Sequence, residues 1–130
     1  MKIKTRNHHT MTESAFRTKL QSVLRNVRWW KPVTAALKLA ERKSKSDNKR
    51  LKYEYKCSMC LQFFPRKEVQ IDHIIPVVDK EGFKDWNTYI DRLFTEVDNY
   101  QVLCLNCHQI KSQSENQERL TYKNNEKDNK

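Results

Sequence analysis

Cys57-Ser58-Met59-Cys60 and Cys104-Leu105-Asn106-Cys107-His108 are the two short runs from which the architecture of this 130-residue chain can be read. Each holds a C-x-x-C pair on a tight turn that aims both sulfurs at one point. Four thiolates delivered by two such turns form the tetrahedral donor set that zinc prefers. Two redox motifs or four buried thiols are the competing readings. Residues 61–103 separate the pairs, too many for the loop of a finger, so another element must be inserted between the turns.

Upstream of the first pair, Phe16, Leu20, Val23, Leu24 and Val27 recur at helical spacing, and Thr10 with Glu13 suggests a capping box. Trp29 and Trp30 close this helix as core residues, and Pro32 opens a second one carrying Val33, Ala36, Leu37 and Ala40. Residues 1–9 read as disordered, and the polar run from Glu41 to Arg50 reads as a linker or mobile arm. Between the cysteine pairs, Val69 and Ile71 lead through His73, Ile74 and Ile75 as a strand. Gly82, the only glycine, marks a turn. An inserted amphipathic helix over 83–97 follows, with Asp85 as candidate cap and an acidic exposed side. Gln101 to Leu105 forms a short strand, a helix starts near Cys107, and residues 113–130 read as a flexible polar tail.

Hydrophobic residues make up 37% of the chain, so the core must be small and needs a staple. No apolar run approaches a membrane span. The N-terminus MKIKTRNHHT lacks a signal-peptide stretch, which makes disulfides unexpected and points to the cytoplasm. The net charge of +10 is uneven: residues 1–56 hold 16 Lys/Arg against 4 Asp/Glu, whereas residues 57–130 hold 10 against 12. A basic block on a nearly neutral body suits a polyanion, nucleic acid before an anionic membrane surface.

Taken together the motifs are C-x-x-C, then Ile71-Asp72-His73-Ile74-Ile75-Pro76, then Asp98-Asn99 through Cys104-Leu105-Asn106-Cys107-His108-Gln109-Ile110-Lys111. Over residues 55–111 this combination resembles the HNH endonucleases, in particular the small zinc-ribbon forms of bacteriophages. The resemblance implies an α+β fold: a ββα-metal core with a four-cysteine zinc ribbon and N-terminal helices. It implies a basic helical DNA-binding extension over 1–50, a nuclease domain over 51–112 and the tail beyond. It also implies metal-dependent hydrolysis of DNA phosphodiesters, leaving 5′-phosphate and 3′-hydroxyl ends, in the cytoplasm of a bacterial host. His73 would be the general base. Asp72 and His108 would hold a catalytic Mg²⁺ or Mn²⁺, with Ni²⁺ or Zn²⁺ also admissible, and Asn99 would orient His73. Cys57, Cys60, Cys104 and Cys107 would hold the structural zinc.

These residue types suit the chemistry. Phosphodiester hydrolysis needs an activated water and charge neutralisation at the phosphate; an imidazole supplies the first and an open divalent cation the second. Adjacent strand residues point to opposite faces, so Asp72 and His73 can share a site only if the strand ends or bends there, as Pro76 allows. Lys111, one helical turn beyond His108, would either touch phosphate or be solvated. His8 and His9 are assigned no role. The alternative is a non-catalytic zinc-ribbon DNA-binding module or an accessory protein of a packaging or defence complex. A homodimer or a phage or host protein partner is compatible with either.

Overall fold

The computed structural model describes residues 2–128 and shows a mixed α+β chain. It divides into two compact units, Met1–Trp30 and Lys31–Lys130.

In the first unit, strand β1 (Lys4–Arg6) pairs antiparallel with β2 (Met11–Thr12), and helix α1 (Glu13–Arg25) follows. Residues expected to be disordered thus form a hairpin. Its turn runs through Asn7, His8 and His9, all at positive φ of 52–59°, a region that Asn and His tolerate better than most side chains. Thr10 closes it, its hydroxyl donating to the Asn7 carbonyl at 2.6 Å. The N-cap of α1 is Thr12, whose Oγ1 accepts the Ala15 N–H at 3.1 Å, two residues beyond the expected cap. Asn26 ends the helix before the tryptophans. Trp29 is therefore not a core residue: it is 69% exposed, with its ring edge against Trp30.

The second unit begins with α2 (Lys31–Ala40), with Pro32 in its first turn. Strand β3 (Glu41–Lys43) then pairs with β4 (Tyr53–Lys56), and β4 with β5 (Phe63–Phe64), all antiparallel. The segment expected as a linker is thus half of a hairpin. Charged cross-strand pairs hold it, which a count of polar residues does not reveal. The buried Glu54 carboxylate accepts from Arg42 at 2.6 Å, the Arg42 guanidinium lies over the Phe63 ring, and Tyr55 donates its hydroxyl to Glu41 at 2.9 Å.

Strand β6 (Val69–His73) pairs antiparallel with β7 (Tyr100–Cys104), in a register that sets Val69 opposite Cys104, Asp72 opposite Gln101 and His73 opposite Tyr100. Helix α4 (Leu105–Asp128) leaves β7 without a break. Val69, Val102 and Tyr55 form one buried cluster, against which Leu37 and Ala40 of α2 pack. The basic extension therefore does not run to residue 50: α2 contributes to the core of the second unit, and the division falls after Trp30. Burying Val69 and Val102 contributes about 2 kcal/mol each.

Between β6 and β7 stands α3 (Trp86–Leu93), shorter than the expected 83–97. Asp85 caps it, accepting the Thr88 N–H at 2.7 Å, and Val97–Asn99 is a separate 3₁₀ turn. Gly82 takes a φ of 99° that suits glycine, turning the chain so that Phe83 meets Trp86 at 5.0 Å and Tyr89 at 6.0 Å between ring centroids. Residues 113–128, expected as a flexible tail, continue α4. Good helix formers, the Lys111–Glu115 and Tyr122–Glu126 pairs, and an Arg119 hydrogen bond to the Val78 carbonyl support this length. No helix among the described residues is long and apolar enough to cross a membrane.

Candidate metal centre and active site

The first cysteine turn joins β4 to β5. Cys57 N–H donates to the Gln62 carbonyl, Leu61 N–H to the Cys57 carbonyl, and Leu61 takes a positive φ of 64° to close the turn. Ser58 N–H reaches across to the Val102 carbonyl at 2.8 Å, fixing this turn to β7. The second turn joins β7 to α4. There Cys104 Sγ accepts the Cys107 N–H at 3.4 Å, so the thiol caps the helix it precedes.

The four sulfurs lie within 4.8 Å of one another, with Cys60 Sγ and Cys104 Sγ 4.0 Å apart. A tetrahedron with Zn–S of about 2.3 Å has edges of about 3.8 Å, so the Cys57, Cys60, Cys104 and Cys107 cluster fits a structural zinc site once its wider pairs draw in. Burial raises the Cys57 thiol, but backbone N–H groups of Cys104, Cys60 and Met59 outweigh it and bring it down to about 6. Cys107 is pushed up to about 12, first by its hydrogen bond with Cys104 and then by burial. One sulfur is thus held ready by amide donors, and a metal ion would displace the protons that remain.

One residue past this cluster, His108 faces Asp72: its Nε2 lies 3.8 Å from Asp72 Oδ1, both side chains being half-buried. The other carboxylate oxygen, Oδ2, accepts from Lys111 Nζ at 2.5 Å and from Gln101 Nε2 at 3.2 Å. Lys111 Nζ also donates to the His73 carbonyl at 2.8 Å and pairs with Glu115 at 3.0 Å. Burial lowers the Lys111 ammonium, but its hydrogen bonds to Asp72 and Glu115 outweigh that and leave it raised. Lys111 is therefore neither free for phosphate nor simply solvated; it clamps the end of β6 to α4.

His73 looks the other way, as strand alternation requires. Its Nε2 lies 3.0 Å from the Leu93 carbonyl, and its ring packs on Tyr100 at 4.8 Å between centroids. Leu93 is the last residue of α3, so its carbonyl has no partner within the helix. It accepts from both His73 and the Tyr100 hydroxyl, the latter at 2.8 Å. A carbonyl only accepts, so Nε2 donates its N–H, and in the neutral form of such a ring the lone pair is on Nδ1. β6 ends at His73. Ile74 N–H then donates to the Asn99 carbonyl at 2.9 Å, and the Asn99 side chain donates to Thr95 Oγ1 at 2.8 Å. Asn99 thus ties together the loop that presents the Leu93 carbonyl.

Asp72 and His108 thus bring one carboxylate oxygen and one imidazole nitrogen to 3.8 Å from each other. Sequence reasoning missed Gln101, Tyr100 and the Leu93 carbonyl. The first two sit beside Asn99, and only the β6–β7 register reveals which of them meets Asp72 and which meets His73. The chain matches no protein-family model, no curated protein and no solved structure.

Proposed function

We propose that this protein is a metal-dependent DNA endonuclease of the HNH type, with β6, β7 and α4 as its ββα unit. The carrying observation is the convergence of Asp72 Oδ1 and His108 Nε2 to 3.8 Å near the end of the strand that closes on His73. Asp72 and His108 would hold a Mg²⁺ or Mn²⁺ ion, which when bound supplies charge neutralisation at the phosphate and the leaving oxygen. His73 lies on the other face of β6 but at its last residue, and Nδ1 would take the proton of an attacking water that reaches it around the strand end. The Leu93 carbonyl, at the negative end of α3, holds the ring and stabilises the imidazolium that forms. Lys111 and Gln101 hold Oδ2, so Oδ1 is the oxygen that would meet the ion. One such site cuts one strand, so double-strand cleavage needs a second copy or a second encounter.

Supercoiled plasmid incubated with the zinc-loaded protein and Mg²⁺ or Mn²⁺ tests this reading. Nicking is expected, falling roughly 10²–10⁴-fold in His73→Ala with DNA binding and zinc content unchanged. Plasmid left intact across these metals while still bound would overturn it. A specific observation favours the second reading, a non-catalytic zinc-ribbon DNA-binding module: Lys111 already neutralises Asp72 without any ion. The same assay separates the two.

A further inference from the structure

The β3–β4 hairpin carries a feature that the proposed active site does not use. Its connection, residues 44–52, contains Lys45, Lys49, Arg50 and Lys52 against the single acid Asp47, and Lys43 stands at its base. All five cations are exposed. None of the five makes an ion pair or hydrogen bond through its side chain among the described residues. By contrast Arg42, next in the chain, is consumed by Glu54 and Phe63.

The loop is also ordered by its own small polar side chains. Ser46 N–H donates to Ser44 Oγ, Asn48 N–H to Ser46 Oγ and Arg50 N–H to Asn48 Oδ1, each at 3.0–3.1 Å. Ser44 N–H to the Lys52 carbonyl and Leu51 N–H to the Asn48 carbonyl close it. The base of the hairpin ends at Lys56, next to Cys57, so the zinc site anchors it within the unit that holds Asp72 and His108.

We infer that this hairpin is a docking surface for the phosphate backbone of nucleic acid. The inference rests on the DNA-substrate reading above and adds where and how the strand is gripped. The composition of the loop favours this partner over a bilayer. Residues 44–50 contain no apolar side chain that could sink below headgroups, and Leu51 is turned half inward. Ser44 Oγ, Ser46 Oγ and Asn48 Oδ1 each accept an N–H of the loop itself, which fixes the backbone that carries the cations. What faces solvent is a set of flexible point charges, which contact phosphates and carry no sequence information. A grip made through phosphates is independent of sequence.

Fluorescence anisotropy of the full zinc-loaded chain with two unrelated duplexes of about 20 base pairs, without Mg²⁺ or Mn²⁺, tests this. The variant carries Lys45→Gln, Lys49→Gln and Arg50→Gln; these exposed side chains hold nothing in place, and circular dichroism with zinc content checks its fold. The slope of log affinity against log salt should fall by about two to three, equally on both duplexes. The charge-preserving Lys45→Arg, Lys49→Arg, Arg50→Lys variant should keep the wild-type slope. An unchanged slope in the neutral variant, a loss confined to one duplex, or equal loss in the charge-preserving variant overturns the proposal. So does tighter binding of the wild-type chain to phosphatidylserine vesicles than to DNA, lost in the neutral variant. Binding to DNA through this hairpin with no cleavage in any metal would sink the nuclease reading alone.

Discussion

Lys111 Nζ sits 2.5 Å from Asp72 Oδ2 and 2.8 Å from the His73 carbonyl, so one ammonium ties the side chain of the first residue and the backbone of the second to α4. The two neighbours point their side chains to opposite faces, yet they share this anchor. Any motion of the end of β6 relative to α4 would disturb Asp72 and His73 together.

Lys111→Met should therefore destabilise the protein by about 2 kcal/mol, the scale of a lost hydrogen bond to a charged group, since Asp72 keeps only Gln101 and His108 nearby. Plasmid nicking should fall at least tenfold while DNA affinity and its salt slope stay unchanged. A slope reduced by about one, with the melting temperature unmoved, would instead mean that Lys111 grips phosphate.

Zinc removal should abolish nicking even with abundant Mg²⁺. Cys104 Sγ caps α4 and Cys107 lies one residue from His108, so the sulfurs set the position of the second ligand of the proposed ion. Structural zinc of this kind contributes on the order of 10 kcal/mol. Stripping with a chelator and quantifying residual zinc should show parallel loss of helix signal and of nicking. Cys107→Ser should reproduce the loss, and cutting that survives verified zinc removal would break this link.

Much of this could be read along the chain because local chemistry carried it. The cysteine spacing announced the cluster, Asp85 announced its cap, and Pro32 announced the start of α2. The β1–β2 hairpin was hidden because three consecutive left-handed residues, Asn7, His8 and His9, look like polar disorder. The β3–β4 hairpin was hidden because an ion pair, Arg42 with Glu54, takes the place of apolar alternation. The contacts of Lys111 depend on where β6 lands on α4, which no spacing along the chain encodes.

Acid should loosen the segment between β6 and β7 before the rest. The Asp79 carboxyl is held below its usual range, chiefly by its hydrogen bond from Arg92 and further by Lys84, and Asp85 is held low by the Thr88 N–H it caps. A lowered folded pKa gives stabilisation that is present above the unfolded value, about 3.9, and lost as pH falls through the folded one. Hydrogen exchange over residues 77–94 should accelerate as pH falls below about 4, ahead of β6 and β7. Asp79→Asn should flatten that dependence, and an unaltered profile in this variant would remove Asp79 from the account.

The last link runs from Asn99 to His73 through Thr95 and Leu93. Asn99 Nδ2 donates to Thr95 Oγ1, and that loop carries the Leu93 carbonyl on which both His73 Nε2 and the Tyr100 hydroxyl converge. If Asn99 acts by positioning, Asn99→Ala and Thr95→Val should each lower the nicking rate about tenfold with little change in substrate affinity. The double variant should be scarcely worse than either, a coupling of about 1 kcal/mol. Tyr100→Phe removes one of the two donors to Leu93 and should cost about 1 kcal/mol of stability, leaving His73 as the remaining donor there and the nicking rate reduced less than in Asn99→Ala. Additive losses from Asn99→Ala and Thr95→Val would mean that Asn99 touches the substrate or the ion itself. The hydrogen bond to Thr95 would then be incidental.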